Sequence, residues 1–520
     1  MNRDEMIERI MSTDAGWDVL VVGGGATGLG VAVEAASRGY RTLLVEMSDF
    51  AKGTSGRSTK LVHGGVRYLR QGNVTLVLEA LKERGRLLRN APHLVRDLPF
   101  VVPVYDWWEG PFYGIGLRLY DLLAGREGFG TSHNLSREET LERLPTIEPD
   151  GLRGGVIYYD GQFDDARLAI NLAATAADLG ATVVNHMRVS GLTHSNDLVD
   201  GAIVVDEETG VEQRIHARVV INATGVFTDT VRTMDDPTAS PMVQASQGIH
   251  IVVDSSFMPG ESAIMVPETD DGRVLFAIPW HGRVVIGTTD TPVDEPSLEP
   301  RPLQEELEFV LHHAARYLTR DPGPKDVLSM FAGLRPLVRQ SKDEGTAEIS
   351  RDHTVHISRS GLVTITGGKW TTYRRMAEET VDRAAVIAHL EDRLCVTREM
   401  RLHGWVEQPD DESRFAVYGS DATVVDQVCR EKTEWMEPLH ERLPYLRGEV
   451  VYATRYEMAR TVDDVLSRRL RALLLDARAS IDAAPFVART MAAELGRDEK
   501  WIERQVKDYT MLARGYIMSA

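Results

Sequence analysis

The stretch from Trp17 to Glu46, WDVLVVGGGATGLGVAVEAASRGYRTLLVE, dictates more about this chain than any other segment. An apolar run, Val19 to Val22, leads into Gly23-x-Gly25-x-x-Gly28, and an alanine-rich stretch with helical character continues to Arg38. Strand, glycine turn and helix therefore stand in the order that binds an adenine dinucleotide. Gly23 permits a tight turn, Gly25 lets the backbone approach a pyrophosphate, and Gly28 allows the helix to pack closely on the strand. The pyrophosphate then meets the positive end of the helix. A second apolar strand, Thr42 to Val45, ends in Glu46, whose carboxylate suits the ribose hydroxyls and disfavours a 2′-phosphate.

The fingerprint by itself does not separate FAD from NAD. Its N-terminal position, together with a later strand ending in Ala-Thr-Gly (Arg218 to Gly225, RVVINATG), points to a flavoprotein, because the small-residue ending lets backbone pass beside a cofactor.

A length of 520 residues allows two or three domains. The net charge of −19 argues against a nucleic-acid partner and against general adhesion to anionic lipid, so any cationic site must be local. Cys395 and Cys429 have no paired spacing, which suggests neither a disulfide framework nor a metal site, and reduced cytosol fits best. The first 16 residues lack the apolar core of a signal peptide, and no apolar run reaches about 18 residues, so the expectation is a chain that is neither exported by that route nor membrane-spanning.

Strand and helix patterns alternate through roughly the first 390 residues, as in an α/β protein. A block of short β-branched runs, Ile249–Val253, Val274–Ile278, Val284–Ile286, Val355–Ile357 and Leu362–Ile365, reads as an inserted, sheet-based substrate domain. Residues 406 to 413 (VEQPDDES) read as a linker, and the remainder as helical. There, Thr454 and Glu457 have capping-box spacing ahead of a stripe formed by Met458, Val462, Val465, Leu466 and Leu470. The expected organisation is an oxidoreductase region over 1–405 and a helical domain over 406–520.

Four segments combine glycine with cations: Lys60-Leu-Val-His63-Gly64-Gly-Val-Arg67-Tyr68-Leu, Gln247-Gly-Ile-His250, Ala332-Gly-Leu-Arg335-Pro and Thr366-Gly-Gly368-Lys369-Trp-Thr-Thr-Tyr-Arg374. In an acidic chain, such loops suggest an anionic ligand, with arginine for bidentate contact and lysine as a point charge. Each residue also has a plain structural use: an ion pair for Arg67 or Arg335, a buried hydrogen bond for His63 or His250, core packing for Tyr68.

With STKLVHGGVRYL, DDARL, INATG, QGIHIVV, IGTTD, AGLRPL, SRDH, GGKWTTYR and the C-terminal ARTVDDVLSRRLRALLLDA in order, the chain resembles the FAD-dependent glycerol-3-phosphate dehydrogenases of the D-amino-acid-oxidase-like superfamily over nearly its whole length. The resemblance implies a Rossmann-like, glutathione-reductase-type FAD domain with an inserted β-rich substrate domain and a C-terminal helical domain. It implies that Arg67, Tyr68, His250, Arg335, Arg351 and Lys369 form the substrate site. Gly23, Gly25, Gly28, Glu46, Ser58, Thr59, Lys60, His63, Gly64 and Gly368 are implied FAD contacts. No motif anchors the flavin covalently, so non-covalent FAD and no metal are expected. Trp370 departs from many relatives, which carry a smaller aliphatic residue after the lysine.

The expected reaction is oxidation of sn-glycerol 3-phosphate to dihydroxyacetone phosphate, with hydride passing from C2 to flavin N5. His250 is the leading base, Arg335 and Lys369 stabilise charge on the substrate oxygen, and Arg67 and Arg351 hold the phosphate. Trp107, Trp108 and the aromatic, aliphatic and basic residues through Arg126 suit an interfacial element. The expected location is cytoplasmic, with peripheral attachment at the inner membrane face and a homodimer both left open, and quinone is the expected acceptor. The alternatives are a soluble oxidase using oxygen, a flavoenzyme for 2-hydroxy acids or amino acids, and a non-enzymatic nucleotide-binding module.

Overall fold

The computed structural model describes residues 1–13, 16–65, 74–106, 109–125, 128–270, 272–339, 353–410 and 412–518. Arg67, Tyr68 and Arg351, with Trp107, Trp108 and Arg126, lie outside the described residues.

The apolar run after Trp17 is too continuous for a half-solvated strand, and it forms the centre of a parallel sheet covered on both faces. Its order is Thr182–Val184, Thr42–Val45, Trp17–Val22, Glu212–Asn222 and Val363–Gly367, with His353–Ile357 antiparallel at the edge. The helix Ala26–Ser37 covers this sheet beside Tyr373–Ile387 and Asp165–Asp178. Gly28 makes that approach feasible, since a Cβ there would come within 1.9 Å of the Gly23 carbonyl oxygen.

The second sheet is largely antiparallel and centres on Val243–Asp254, paired with Val327–Val338 on one side and Arg283–Gly287 on the other. Leu275–Trp280, Ala263–Val266, Val95–Val104, Gly154–Phe163 and Leu61–Val62 extend it. The runs at 249–253, 274–278 and 284–286 fall in this sheet as expected. Those at 355–357 and 362–365 do not. They complete the parallel sheet, because Val363 and Thr364 pair with Ile221 and Asn222.

The C-terminal helices Arg447–Tyr456, Ala477–Leu495 and Glu499–Arg514 share a core with Val252, Trp280, Val285 and Phe331, so they pack on the second sheet. Met458, Val462, Val465, Leu466 and Leu470 are all buried there. The expected helix start at Thr454 is wrong. Thr454 lies in the last turn of Arg447–Tyr456, its hydroxyl donating to the Val450 carbonyl, and the Glu457 carboxylate takes two bonds from buried Arg167. Arg468 and Arg469 pair with buried Asp49 on the loop after Glu46, tying these helices to the fingerprint domain.

Candidate active site

A cavity of about 590 Å³ runs across the C-terminal ends of the parallel strands, between the two sheets. That volume lies in the usual range for a cofactor pocket, and the strand ends are where open α/β sheets bind ligands. At one end lie Glu46 and Met187–Val189; at the other lie Gly368 and Lys369. The strands that deliver Glu46 and Gly368 are three places apart in the sheet, about 14 Å at the usual strand spacing.

The fingerprint end is built from backbone. Gly23, at φ +111°, turns the chain out of its strand, and a Cβ on it would come within 2.7 Å of the Ala223 carbonyl oxygen. Glu46 accepts the Gly24 amide at 2.6 Å on one oxygen and the Ser48 amide at 2.8 Å on the other, which leaves lone pairs for ribose hydroxyls. Burial pushes this carboxyl up and the two amides pull against that. Gly225 of INATG takes a left-handed conformation at the cavity wall. An acceptor at Glu46, bare backbone at Gly23 and Gly25 and a long cleft fit FAD.

The reactive end is carried by the second sheet and the turn after Gly367. His250 lies opposite Phe331 and Gly287 in the strand register, and its ring stacks on Phe331 at 4.8 Å. Its Nε2 is 3.0 Å from the Thr59 hydroxyl, while Nδ1 is buried with no hydrogen-bond partner among the described residues. Burial, then the charges of Lys60 and Arg335, hold this imidazole well below the ordinary histidine range, so it is neutral near pH 7. Arg335 lies opposite Ser246, donating to Thr288 at 3.2 Å and lying 3.4 Å from the Asp290 carboxylate. Gly248 leaves room for it: a Cβ there would come within 2.2 Å of the guanidinium. Gly367 and Gly368, both left-handed, turn the chain sharply so that Lys369 joins the wall with its ammonium shielded from solvent. Trp370, the departure noted in the sequence, donates its indole N–H to the Ser55 carbonyl and ties this turn to the loop over the cofactor cleft.

The expected residues thus converge in large part. Gly23, Gly25, Glu46, Ser58, Thr59, His63, Gly368, His250, Arg335 and Lys369 all line the cavity. Gly28 does not, serving helix packing instead. Gly64 lies behind the wall, its amide donating to Tyr120. Lys60 departs most from expectation: its side chain is fully buried, its ammonium 2.7 Å and 2.8 Å from the two oxygens of Asp165. Asp165 also takes the amide and hydroxyl of Ser58, so it organises this same loop at the cleft. Nothing in the isolated DDARL motif marks that role, although two acids at a helix start are a local signal. Met187–Val189 were also missed, since only the sheet order brings them beside Glu46.

The cleft, its nucleotide-binding end and its cationic far wall define an FAD-dependent oxidoreductase. The chain belongs to the FAD dependent oxidoreductase family, whose model matches residues 18–374. Residues 361–502 match the C-terminal domain of alpha-glycerophosphate oxidase. Mitochondrial glycerol-3-phosphate dehydrogenase from Homo sapiens is 41% identical over 526 residues, covering 94% of this chain and 72% of its own. The probable mitochondrial enzyme of Caenorhabditis elegans is 41% identical over 533 residues, covering 96% and 73%. Among solved structures, glycerol-3-phosphate dehydrogenase from Bacillus halodurans complexed with FAD superposes with a TM-score of 0.81 at 31% identity, over 99% of this chain and 97% of that one. Glycine oxidase from Bacillus cereus, with a TM-score of 0.52 at 19% identity over 72% and 96%, shares the fold alone. Within its class, the chain is a member of the FAD-dependent glycerol-3-phosphate dehydrogenases.

Proposed function

We propose that this enzyme oxidises sn-glycerol 3-phosphate at C2 to dihydroxyacetone phosphate and passes the electrons to a quinone. The observation that carries the reading is a buried, neutral His250 sharing one cavity wall with Arg335 and Lys369. Flavin, when bound, supplies the acceptor for the two electrons that leave C2 as hydride. The protein must then take the hydroxyl proton, and a neutral imidazole has the lone pair to do so. Arg335 and Lys369 offset the negative charge that grows on the substrate oxygen as that proton leaves. The same cations favour an anionic substrate in a chain that is otherwise acidic. Arg67 and Arg351 remain the proposed phosphate ligands on the strength of the motif resemblance.

The quinone assignment draws on the helix Glu109–Ala124, which exposes Ile115, Leu119 and Leu122 on one face. Among the described residues no helix is long and apolar enough to cross a membrane, so attachment at the inner face of the cytoplasmic membrane would be peripheral. Oxygen is the second reading for the acceptor, favoured by the match of residues 361–502 to the glycerophosphate oxidase domain.

The deciding experiment is anaerobic mixing of the flavin-loaded enzyme with glycerol 3-phosphate, glycerol, lactate or an amino acid, followed by admission of oxygen or a quinone analogue. Bleaching by glycerol 3-phosphate alone, with recovery on quinone, is expected. Bleaching by lactate or an amino acid instead overturns the substrate, and rapid recovery on oxygen with peroxide overturns the acceptor.

A further inference from the structure

His63 lines the cavity, and its main chain meets the Thr371 side chain, whose hydroxyl is 3.3 Å from its amide and 3.4 Å from its carbonyl. The next amide, Gly64, also goes to a side chain rather than to a strand. It donates to the Tyr120 hydroxyl at 2.8 Å, and that hydroxyl donates to Asp160 at 2.8 Å. Asp160 accepts from Arg84 at 2.6 Å on its other oxygen. All three side chains are buried, and Arg84 also lies 4.2 Å from the Phe129 ring centroid. Burial and the Asp160 charge push the Tyr120 phenol well above its ordinary range, so it keeps the proton that lets one oxygen both donate and accept. The contact requires glycine: a Cβ at position 64 would come within 2.4 Å of that oxygen.

A buried ion pair is costly to desolvate and gains little stability by itself. This one ends on a neutral hydroxyl that takes a long bond from Arg84 at 3.5 Å and a short one from the Gly64 backbone N–H beside the cavity. Thr371 reaches the turn from the Gly367–Lys369 side, and Tyr120 reaches it from the helix Glu109–Ala124. Two elements from different parts of the fold thus hold consecutive residues.

We propose that Tyr120 is a positioning residue: the Arg84–Asp160–Tyr120 chain holds the Gly64 amide and so keeps the His63 side chain at the reactive wall. The proposal rests on the reading of that cavity as the site of glycerol 3-phosphate oxidation.

Tyr120→Phe removes one oxygen and leaves the ring packed on Val77, Leu81 and Ala124. Loss of one hydrogen bond should lower kcat/KM for glycerol 3-phosphate about tenfold with flavin content unchanged. In a His63→Ala background, the same change should cost less than about twofold, since residues that act through one another are not additive. Hydrogen exchange of the peptide spanning 61–65 should accelerate about tenfold in Tyr120→Phe. Asp160→Asn keeps every heavy-atom position but leaves Arg84 buried without its charge partner, so it should lower stability as well as accelerate exchange at 61–65, and read below its melting temperature it serves if Tyr120→Phe does not fold. A fully additive double mutant, or unchanged exchange at 61–65 in a folded variant, overturns the proposal. The exchange measurement needs no turnover, so it is read even if glycerol 3-phosphate proves not to be the substrate.

Discussion

The hydroxyl of Thr59 lies 3.0 Å from Nε2 of His250, which places the loop over the cofactor cleft in contact with the proposed base. Because burial, Lys60 and Arg335 all disfavour the imidazolium, His250 keeps its lone pair to well below the ordinary histidine range. Flavin reduction by glycerol 3-phosphate should therefore stay level from pH 8 to about pH 6 and fall only in more acid solution. Removing a nearby positive charge with Arg335→Gln should move that acid limb upward, and Thr59→Val should slow reduction about tenfold at saturating substrate. Stopped-flow absorbance over this pH range gives the answer. An acid limb already at pH 6.5 to 7 in the parent would rule out His250 as the group described here.

Lys60 and Asp165 make a second test possible, because a buried pair and a cofactor contact fail differently. Both side chains are fully buried, and the ammonium also donates to the Gly56 carbonyl. Removing one partner of such a pair costs about 3 to 5 kcal/mol, since the other charge stays buried. Lys60→Met should therefore lower the melting temperature of flavin-free and flavin-bound protein alike. A variant with parental stability but weakened flavin binding would return Lys60 to the cofactor.

What the sequence reveals here depends on whether a signal is local. The glycine fingerprint, Glu46 and the His250 strand are local: their spacing states both the element and the direction of each side chain. Which sheet a β-branched run joins is not local, and Val363 pairs with Ile221 from across the chain. Lys60 reads as a ligand because a lysine near glycines suggests an anion, while the fold pairs it with Asp165, 105 residues away. Tyr120 sat in an apparent interfacial segment. In the fold the described part of that segment, Glu109–Ala124, is one helix with two faces, Leu117, Tyr120 and Ala124 inward and Ile115, Leu119 and Leu122 outward.

Two neighbouring histidines should set opposite limits on stability. His403 bridges Asp178 at 2.7 Å and Asp421 at 2.8 Å, and these bonds push it up to about 9. Its contribution is complete below the unfolded value near 6.5 and is lost as pH rises through 9, about 2 kcal/mol after allowance for its partial exposure. His93, held down to about 4 by burial and then by Arg167 and His403, works the other way. Below pH 6.5 the unfolded chain takes up a proton that the native site refuses, so stability falls towards pH 4. Melting temperatures between pH 4.5 and 9.5 should show His403→Gln flattening the alkaline decline and, because one charge that depresses His93 is gone, easing the acid decline slightly. An unchanged alkaline slope in that variant would contradict the bridge.

Ile115, Leu119 and Leu122 are 71%, 45% and 77% exposed and follow one another at i, i+4 and i+7, so they form one apolar stripe on the helix Glu109–Ala124. Arg118 is exposed on the same helix. A chain of net charge −19 gains little from anionic headgroups, and insertion of the stripe should dominate any attachment to lipid. Two consequences follow from that balance. Binding to vesicles should depend only weakly on salt, in contrast to attachment through a basic patch. Replacing the three residues with serine should cost about 3 kcal/mol even for partial insertion, enough to reduce co-sedimentation more than a hundredfold. Anaerobic bleaching by glycerol 3-phosphate should stay at the parental rate in the triple variant, because the stripe faces away from the cavity, while reduction of a membrane-dissolved quinone should fall with the lost binding. Parental co-sedimentation by the triple variant, or attachment that collapses at moderate salt, would place lipid contact elsewhere on the protein.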